Sequence, residues 1–498
     1  MCRIINLSID PFSKFSAEEE KDYLKDIFYY PPFYRQLLSL LKEGNSRFIL
    51  GQRGQGKSAI IYRLFDDLQS QDTLPLLITK YDGIPVSNNS KYFIYKIIQA
   101  ITLGLAKSFF LTPSLTKKLS SIQKKRFNHL IEMFYDPSWA PEFMEEAKHV
   151  KIHKIKRWFI NLFNKNVKLI NNIADGAIKL TSETIRNSIG LNLPIESDLY
   201  QQNYFKTISL NEFKQFKIQD VEQVEREDLD SMLAVLMGIS DKINFKSIVV
   251  LFDQIDEFPI INSSIDAVSD FVKSFLQDTN FLYTNKLGVI FTLWSEAKQS
   301  LNVKGVRFDK FQDIDIRWKN EDLEKMINHR LAYYSVNHNS PVTLSSLIPN
   351  DYSRQEVIDL AGKSPRSLLI LLSKILYDDE RNDIDSFSQA SIYSGMINFC
   401  KSFDYVSLMP YKMAKREDIN NWISKVLCVR KIVFSLEEYS EANHIRPKKN
   451  AIYHIEELKK FGFIKDYIMP DEKGRQMFEV TEPRLKYLIK HGYLTIED

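Results

Sequence analysis

The sequence is poor in the residues that mark several classes of protein. Its 498 residues include only three cysteines, 16 glycines and 17 prolines. The cysteines, Cys2, Cys400 and Cys428, lie far apart without metal-ligand or disulfide spacing, so we expect a reducing compartment and no zinc site. No run of about 18 apolar residues occurs, and the stretch Met1–Ser8 leads directly into charged residues. These absences predict a cytoplasmic protein with no integral membrane segment.

An excess of one charge is also missing. Lysine and arginine number 67 against 64 acidic residues, a net charge of +3, so attraction to a polyanion must come from local patches. The chain has 44% apolar and 26% charged residues, which is ordinary for a globular protein, and its length predicts about three structural units. No histidine-rich metal cluster, nucleophile with a partner base or nuclease signature stands out, so we expect any second chemistry to come from another protein.

Short apolar runs alternate with helical periodicity from residue 46 onward. Buried strands are expected at 46–50, 75–79, 247–252 and 287–293, with helices between them, and this alternation predicts an α/β fold with a parallel sheet. A lysine-rich, mostly helical stretch at about 105–225 is predicted to be an insertion in this core. The predicted units are an N-terminal helical segment at 1–45, the core at 46–310, a helical unit at 311–400 and a small domain at 425–498.

A glycine-rich loop follows the first predicted strand and precedes a helix. Its eight residues match G-x-x-x-x-G-K-[ST] in full: Gly51, Gln52, Arg53, Gly54, Gln55, Gly56, Lys57 and Ser58. The glycines let backbone N–H groups surround a β-phosphate at the positive start of a helix. Lys57 supplies a point charge for the β- and γ-phosphates, and Ser58 offers a hydroxyl to Mg²⁺. The motif in this context predicts a P-loop that binds ATP and Mg²⁺.

The third predicted strand ends in acidic residues. Asp253 follows its apolar run, where a carboxylate can hold the Mg²⁺ that Ser58 also contacts. Many ATPases of this kind carry a glutamate next, which polarises the attacking water, but this chain has Gln254, which cannot accept a proton. Asp256 and Glu257 are candidates for the base, the alternative being that they cap the next helix or stay solvated. We therefore expect slow hydrolysis, suited to a switch.

Polar residues end the fourth predicted strand, and two arginines follow later. Thr292 and Ser295 are candidates for sensing the γ-phosphate, with a buried core threonine as the alternative. This order of motifs resembles the AAA+ and STAND branch of P-loop ATPases, both the origin-recognition and helicase-loading initiator ATPases and the NACHT-like signalling ATPases. The segment Gly362–Arg366 resembles a lid signature, Gly-x-Pro-Arg, whose arginine reaches the γ-phosphate. Arg307 lies where this branch often carries an arginine finger, although a structural salt bridge fits equally. The resemblance implies a helical lid at 311–400 and a homo-oligomer.

The last 70 or so residues have their own pattern. Two helices, at 435–443 and 448–461, precede a hairpin around 470–475, which resembles the winged helix-turn-helix that initiator-type ATPases carry at this end. If the domain binds DNA, the second helix would enter the major groove and the wing would touch phosphates. The candidate DNA contacts are Lys448, Lys449, Asn450 and Tyr453 in the helix and Lys473 and Arg475 in the wing. Docking to a protein is the alternative.

Residues 148–190 are rich in lysine and arginine, with aromatic residues at helical spacing. A basic amphipathic helix of this kind suits nucleic acid, a membrane surface or a partner, or it packs on the ATPase body. The leading hypothesis is an ATPase switch that oligomerises and engages double-stranded DNA, in bacterial antiphage defence or mobile-element maintenance. The alternatives are a NACHT-like signalling ATPase that senses a protein effector without nucleic acid, and a membrane-peripheral ATPase.

Overall fold

A computed structural model describes residues 4–69, 72–134, 217–261, 264–408, 416–446, 448–469 and 474–496. The basic segment at 148–190 and Lys473 lie outside these ranges. Five parallel strands form the central sheet, in the order β2-β3-β4-β1-β5. They are β1 Arg47–Leu50, β2 Thr73–Ile78, β3 Ser247–Phe252, β4 Leu287–Leu293 and β5 Asp313–Asp315. The structure confirms the predicted α/β class with a parallel sheet.

Eighteen helices of four or more residues belong to the described ranges, besides short 3₁₀ turns. Those around the sheet are α1 Leu24–Ile27, α2 Tyr34–Lys42, α3 Lys57–Leu68, α4 Ser90–Leu111, α5 Ser121–Phe134, α6 Arg226–Lys242, α7 Ile265–Leu276, α8 Thr279–Leu282 and α9 Ala297–Val303. Those of the region predicted as a lid are α10 Asn320–Tyr334, α11 Leu344–Leu347, α12 Asp351–Leu360, α13 Pro365–Asp378 and α14 Gln389–Lys401. Those of the C-terminal unit are α15 Arg416–Cys428, α16 Leu436–Ala442, α17 Lys448–Lys460 and α18 Pro483–Lys490.

The two faces of the sheet bury different apolar clusters. Successive side chains of a strand point to opposite faces, so Ile49 and Leu251 join the cluster shared with α3 and the lid. Phe48, Phe252 and Phe291 join the cluster shared with α4 and α7, where the rings of Phe252 and Phe291 stack with centroids 4.5 Å apart. All six residues of β3 are buried, as expected for a strand covered on both faces. The sheet is therefore a rigid platform for the loops at its carboxyl edge.

Helix α4 is an apolar core helix. Among the described residues it is the one helix long and apolar enough to cross a membrane, with 22 residues and a mean hydropathy of 1.3. About 61% of that stretch is buried, and α4 packs against β2, α5 and α6. Core packing therefore accounts for its apolar character. The predicted start of the insertion, residue 105, lies inside this helix, and Leu105, Phe109 and Phe127 belong to the same core.

The N-terminal region is less helical than predicted. A helical segment was expected over 1–45, but turns precede α1, which covers only Leu24–Ile27. The carboxylate of Glu19 accepts hydrogen bonds from the N–H groups of Phe15 and Ser16, at 3.2 and 3.1 Å, and so fixes a turn in place of a helix. Residues 15–20, which we call the N-terminal strap, therefore follow an irregular path across the core and the lid.

The C-terminal unit combines its helices with a small antiparallel sheet. Its strands, β6 Val433–Ser435, β7 Ile464–Asp466 and β8 Met477–Val480, lie in the order β6-β8-β7. Strand β6 was not predicted, and Ser435 ends it instead of lying within the helix. The Ser435 hydroxyl accepts a hydrogen bond from the backbone N–H of Glu438, and the Glu438 carboxylate accepts one from the backbone N–H of Ser435 at 2.7 Å. These two bonds form a capping box that starts α16.

Candidate nucleotide-binding site

The loop between β1 and α3 is folded around the Lys57 ammonium. Lys57 Nζ donates to the carbonyl oxygens of Gly51 and Gln52, at 2.9 and 3.1 Å. Burial lowers the pKa of Lys57, while the charges of Asp256 and Asp253 act to raise it. The positive charge is thus held by two neutral carbonyls and by carboxylates on the neighbouring turn. A phosphate offers this buried cation a better partner than the carbonyl oxygens do.

Two glycines give the loop its shape. Gly54 and Gly56 have φ angles of +81° and +85°, in the left-handed region that favours glycine. A Cβ on Gly54 would also lie 2.7 Å from Ser364 Oγ, so the loop approaches the lid as closely as a glycine allows. Gly56 precedes α3 as its N-cap residue, which directs the start of that helix to the same space.

The glutamines of the loop stabilise it internally. Gln55 Oε1 accepts a hydrogen bond from the backbone N–H of Gln52 at 2.9 Å, and the backbone carbonyl of Gln55 accepts one from Trp318 Nε1 at 3.1 Å. Gln52 Nε2 donates to Glu296 Oε1 at 3.2 Å. The side chain of Arg53 instead lines the cavity beside the loop. Of the variable loop residues, Arg53 is therefore placed to meet a phosphate, while the two glutamines hold the loop's conformation.

The carboxylate of Asp253 is buried next to Ser58 of this loop. Only 1% of Asp253 is exposed; its Oδ1 accepts from Thr292 Oγ1 at 2.7 Å, and its Oδ2 is buried with no hydrogen-bond partner. Burial raises the pKa of Asp253, and the Thr292 and Ser58 hydroxyls oppose that shift. Burying a carboxylate oxygen without a hydrogen-bond partner costs free energy, because its hydration is lost and not replaced. An orphaned carboxylate oxygen beside a serine hydroxyl fits Mg²⁺, which prefers oxygen ligands.

The turn after β3 brings further acids to the cavity. Asp256 and Glu257 both line it, and burial, followed by the charges of Asp256 and Glu18, raises the pKa of Glu257. Gln254 has φ +60°, an uncommon conformation outside glycine, and its Nε2 donates to Glu18 Oε1 at 2.9 Å. Glu18 belongs to the N-terminal strap. The residue at which many P-loop ATPases carry glutamate is here a glutamine that binds a glutamate from elsewhere in the chain.

The lid segment lies directly against the P-loop. The Ser364 hydroxyl donates to the carbonyl of Gly54 at 3.2 Å, and the backbone N–H of Arg366 donates to the same oxygen at 3.3 Å. Arg366 Nε donates to the carbonyl of Phe15 in the strap, at 3.1 Å. The structure therefore brings the lid arginine, the P-loop and the strap together.

These elements surround one open cavity beside the P-loop. It is lined by P-loop residues Arg53, Gly54, Gly56, Lys57 and Ser58, by Asp253, Gln254, Asp256 and Glu257 after β3, by the strap with Leu24, Phe28, Tyr29 and Pro31, and by Trp318, Met326, Arg330 and Arg366 of the lid. The strap was missing from the predicted site. Its three consecutive glutamates, which begin at Glu18, were the only signal, and they were assigned to the predicted N-terminal helical segment.

Three predicted site residues have other contacts. The hydroxyl of Thr292 is committed to Asp253, so it positions that carboxylate. Ser295 Oγ donates to Asp315 Oδ1 at 3.1 Å. Neither Thr292 nor Ser295 lines the cavity. Arg307 is 60% exposed and pairs with Asp309 at 2.6 Å, also outside the cavity. That exposure is compatible with a finger offered to a neighbouring subunit, which stays a prediction.

The candidate DNA contacts of α17 lie at one exposed end of the C-terminal unit. Lys449 and Asn450 are exposed, Tyr453 is 56% exposed, and all three line a shallow cleft with Arg446. The main chain of Lys448 begins α17, whereas Lys473 lies outside the described residues. The cleft is basic and aromatic. The predicted wing contact Arg475, in contrast, forms an ion pair with Glu437 of α16.

No family model matches the chain, and no curated protein matches it either. Among solved structures it is similar to the Aeropyrum pernix ORC1 protein in complex with DNA, with 12% identity, a TM-score of 0.37 and 94% of each chain covered. The Aeropyrum pernix ORC2 protein in ADPNP–ADP complexes has 10% identity and a TM-score of 0.41, covering 94% of this chain and 96% of its own. Cdc6p from Pyrobaculum aerophilum has 11% identity and a TM-score of 0.32, covering 97% and 99%. At these scores the likenesses carry no functional conclusion.

Proposed function

We propose that this chain is a P-loop ATPase of the AAA+ type that binds ATP with Mg²⁺ and hydrolyses it slowly. One observation carries the proposal: Lys57, Ser58, Asp253 and Arg366 converge on a single cavity although they come from three distant places in the sequence. A cation, a hydroxyl, an orphaned carboxylate and a second cation are the groups that a magnesium–triphosphate complex requires.

Each residue has a defined task in this proposal. The backbone N–H groups at the start of α3 hold the β-phosphate, and Lys57 exchanges its carbonyl contacts for the β- and γ-phosphates. Ser58 and Asp253 hold Mg²⁺, which neutralises charge on the phosphate oxygens when it is bound. Thr292 orients Asp253 through its hydrogen bond. Arg366 leaves the carbonyl of Phe15 for the γ-phosphate, so that nucleotide and strap share one arginine.

Titration with ATP and Mg²⁺ tests this proposal. Lys57→Ala removes a charge-assisted contact of about 1.5–3 kcal/mol, so we expect roughly 10- to 100-fold weaker binding and loss of hydrolysis. Lys42→Ala, an exposed lysine at the end of α2, serves as the matched control and should bind ATP like the wild type. Equal affinity of the wild type and Lys57→Ala contradicts the proposal.

We further propose that the C-terminal unit is a winged helix that binds double-stranded DNA. The cleft of Arg446, Lys449, Asn450 and Tyr453 supports this, because a basic and aromatic helix start is suited to a groove and its phosphates. Binding to a DNA duplex that weakens steeply with salt is expected. Binding to a protein effector alone, without any affinity for DNA, would favour the signalling alternative.

Oligomer formation and cellular setting are also proposals. Exposed Arg307 is suited to reach a neighbouring subunit's nucleotide, so ATP should increase the particle mass of the wild type and not of Arg307→Ala. A cytoplasmic location rests on the cysteine pattern and on the absent signal and apolar runs noted in the sequence, whereas a role in antiphage defence or mobile-element maintenance rests on the motif resemblance. Infection assays in a bacterial host with and without the gene for this chain would test the defence role.

A further inference from the structure

The hydrogen bond between Glu18 and Gln254 joins the N-terminal strap to the turn after β3. Gln254 Nε2 donates to Glu18 Oε1 at 2.9 Å, and Tyr62 Oη donates to the same oxygen at 3.4 Å. Gln254 holds its left-handed conformation, φ +60°, at this contact. Two donors on two different elements therefore fix one carboxylate and orient it.

The strap crosses the cavity from the lid arginine to the turn after β3. At one end the carbonyl of Phe15 accepts from Arg366, and at the other Glu18 meets Gln254 next to Asp253. Both ends line the same cavity as Lys57. The path between the lid arginine and the magnesium carboxylate is where a γ-phosphate would be held, so Glu18 is placed beside the γ-phosphate end of the site.

A second contact anchors the strap to the lid. Glu20 and Arg330 form a buried ion pair, with Nη1 and Oε2 3.0 Å apart and each side chain at most 7% exposed. Arg330 Nε also donates to the carbonyl of Pro11. Because Glu18 is two residues from this anchor, its position depends on the position of α10 in the lid.

We propose that Glu18 is the general base of ATP hydrolysis and that Gln254 positions it. The inference rests on the proposed ATPase function. The water oxygen forms a bond to the γ-phosphorus, the bond from that phosphorus to the β–γ bridging oxygen breaks, and ADP leaves with the electron pair. The water proton passes to the Glu18 carboxylate and is later released to solvent. Glutamate at the usual position is thus replaced by a glutamine that holds a glutamate from the strap.

This assignment differs from the sequence prediction of Asp256 or Glu257. The charge of Asp256 is the largest electrostatic influence raising the pKa of Lys57, which places it near the P-loop lysine. The Glu257 side chain is exposed at the edge of the cavity, and desolvation, followed by the charges of Asp256 and Glu18, raises its pKa. Glu18 instead has two neutral donors on one carboxylate oxygen. It also links hydrolysis to lid position, because the strap is anchored on α10.

Single-turnover hydrolysis and ATP titration of variants test the assignment. Glu18→Gln keeps an acceptor for Gln254 but cannot take a proton, so we expect hydrolysis by the bound complex to fall about 100- to 10,000-fold while affinity changes by less than about twofold. The double variant Glu18→Gln/Gln254→Glu returns a carboxylate to the other side of the same hydrogen bond, and it should recover at least about tenfold over Glu18→Gln. Asp22→Asn, an exposed acid near the strap, should hydrolyse ATP at the wild-type rate.

The outcomes separate this inference from the function on which it rests. Wild-type hydrolysis by Glu18→Gln would show that Glu18 only fastens the strap, and the inference would be wrong. A wild type that binds ATP without any turnover also overturns the inference and leaves nucleotide binding intact. If Glu18→Gln loses affinity but its bound complex reacts at the wild-type rate, the strap is a binding element only and Glu18 is not the base. A wild type that binds no ATP overturns the proposed function itself.

Discussion

The substitution Asp253→Asn should stabilise the protein without nucleotide and destabilise it with nucleotide. The wild-type carboxylate is 1% exposed, and its Oδ2 has no partner. Asparagine keeps an acceptor for Thr292 and removes the buried charge. An unsatisfied buried polar atom costs about 1–3 kcal/mol, and the new amide group is itself imperfectly satisfied. We therefore expect the free energy of unfolding to rise by about 1 kcal/mol, at the lower end of that range.

The pH dependence of this difference follows from the direction of the pKa shift. Burial raises the pKa of Asp253 above its ordinary value of 3.8. The folded state then binds the proton more tightly than the unfolded state, so wild-type stability falls as pH rises from about 3.8 through the raised folded pKa. Asparagine lacks this titration. The advantage of Asp253→Asn should thus be small at low pH and fully developed above the folded pKa.

Nucleotide should reverse the order of stability. At ATP concentrations near 100 Kd, binding stabilises the wild type by about 2.7 kcal/mol, and Asp253→Asn should lose this gain with its metal ligand. The wild type would then be more stable by roughly 2 kcal/mol. Thermal or urea unfolding of both proteins, with and without ATP and Mg²⁺, measures the reversal. The control Asp66→Asn, which removes an exposed carboxylate of α3, should show no reversal. Equal stabilisation of Asp253→Asn and wild type by ATP and Mg²⁺ would refute the reasoning.

Three further substitutions test other contacts. In paired titrations, Arg366→Ala should weaken the binding of ATP about 10- to 100-fold and leave the affinity for ADP unchanged, because only ATP carries a γ-phosphate. An equal loss of affinity for both nucleotides would contradict this role. Arg330→Met leaves buried Glu20 without its partner and should cost about 3–5 kcal/mol in urea unfolding, with Arg330→Met/Glu20→Leu recovering most of it; no loss in the single variant would show that the pair is not needed to anchor the strap. Lys449→Ala should lower the slope of log affinity against log salt for duplex DNA by about 1, and an unchanged slope would exclude a phosphate contact.

The parts of the fold that depend on local patterns were predictable from the sequence. The P-loop follows β1 and Asp253 follows β3, and both elements appear as short apolar runs before polar residues. Because parallel strands end at the same edge of the sheet, two motifs about two hundred residues apart in the chain can be expected to meet. Thr292 was assigned to the same edge, although its hydroxyl proves to act on Asp253.

The contacts that the sequence could not predict join distant residues without a periodic signal. Glu18 and Gln254 are 236 positions apart, and Glu20 and Arg330 are 310 apart. Nothing in a run of glutamates distinguishes a buried ion pair from a solvated helix face, so the strap was included in the helical segment predicted at 1–45 although it forms turns. The predicted start of the insertion at residue 105 lies inside α4. The apolar periodicity of this helix is the same on both sides of that residue, so the sequence has no signal that marks where the core helix ends.

A crystal structure grown with Mg²⁺ and a non-hydrolysable ATP analogue tests the central claim most directly. The account predicts the β-phosphate within about 3.2 Å of backbone nitrogens at the start of α3, and Lys57 Nζ moved from the carbonyls of Gly51 and Gln52 to the phosphates. It also predicts the metal at Ser58 and Asp253. A nucleotide bound elsewhere, or a Lys57 that keeps its carbonyl contacts beside the bound analogue, would contradict the account.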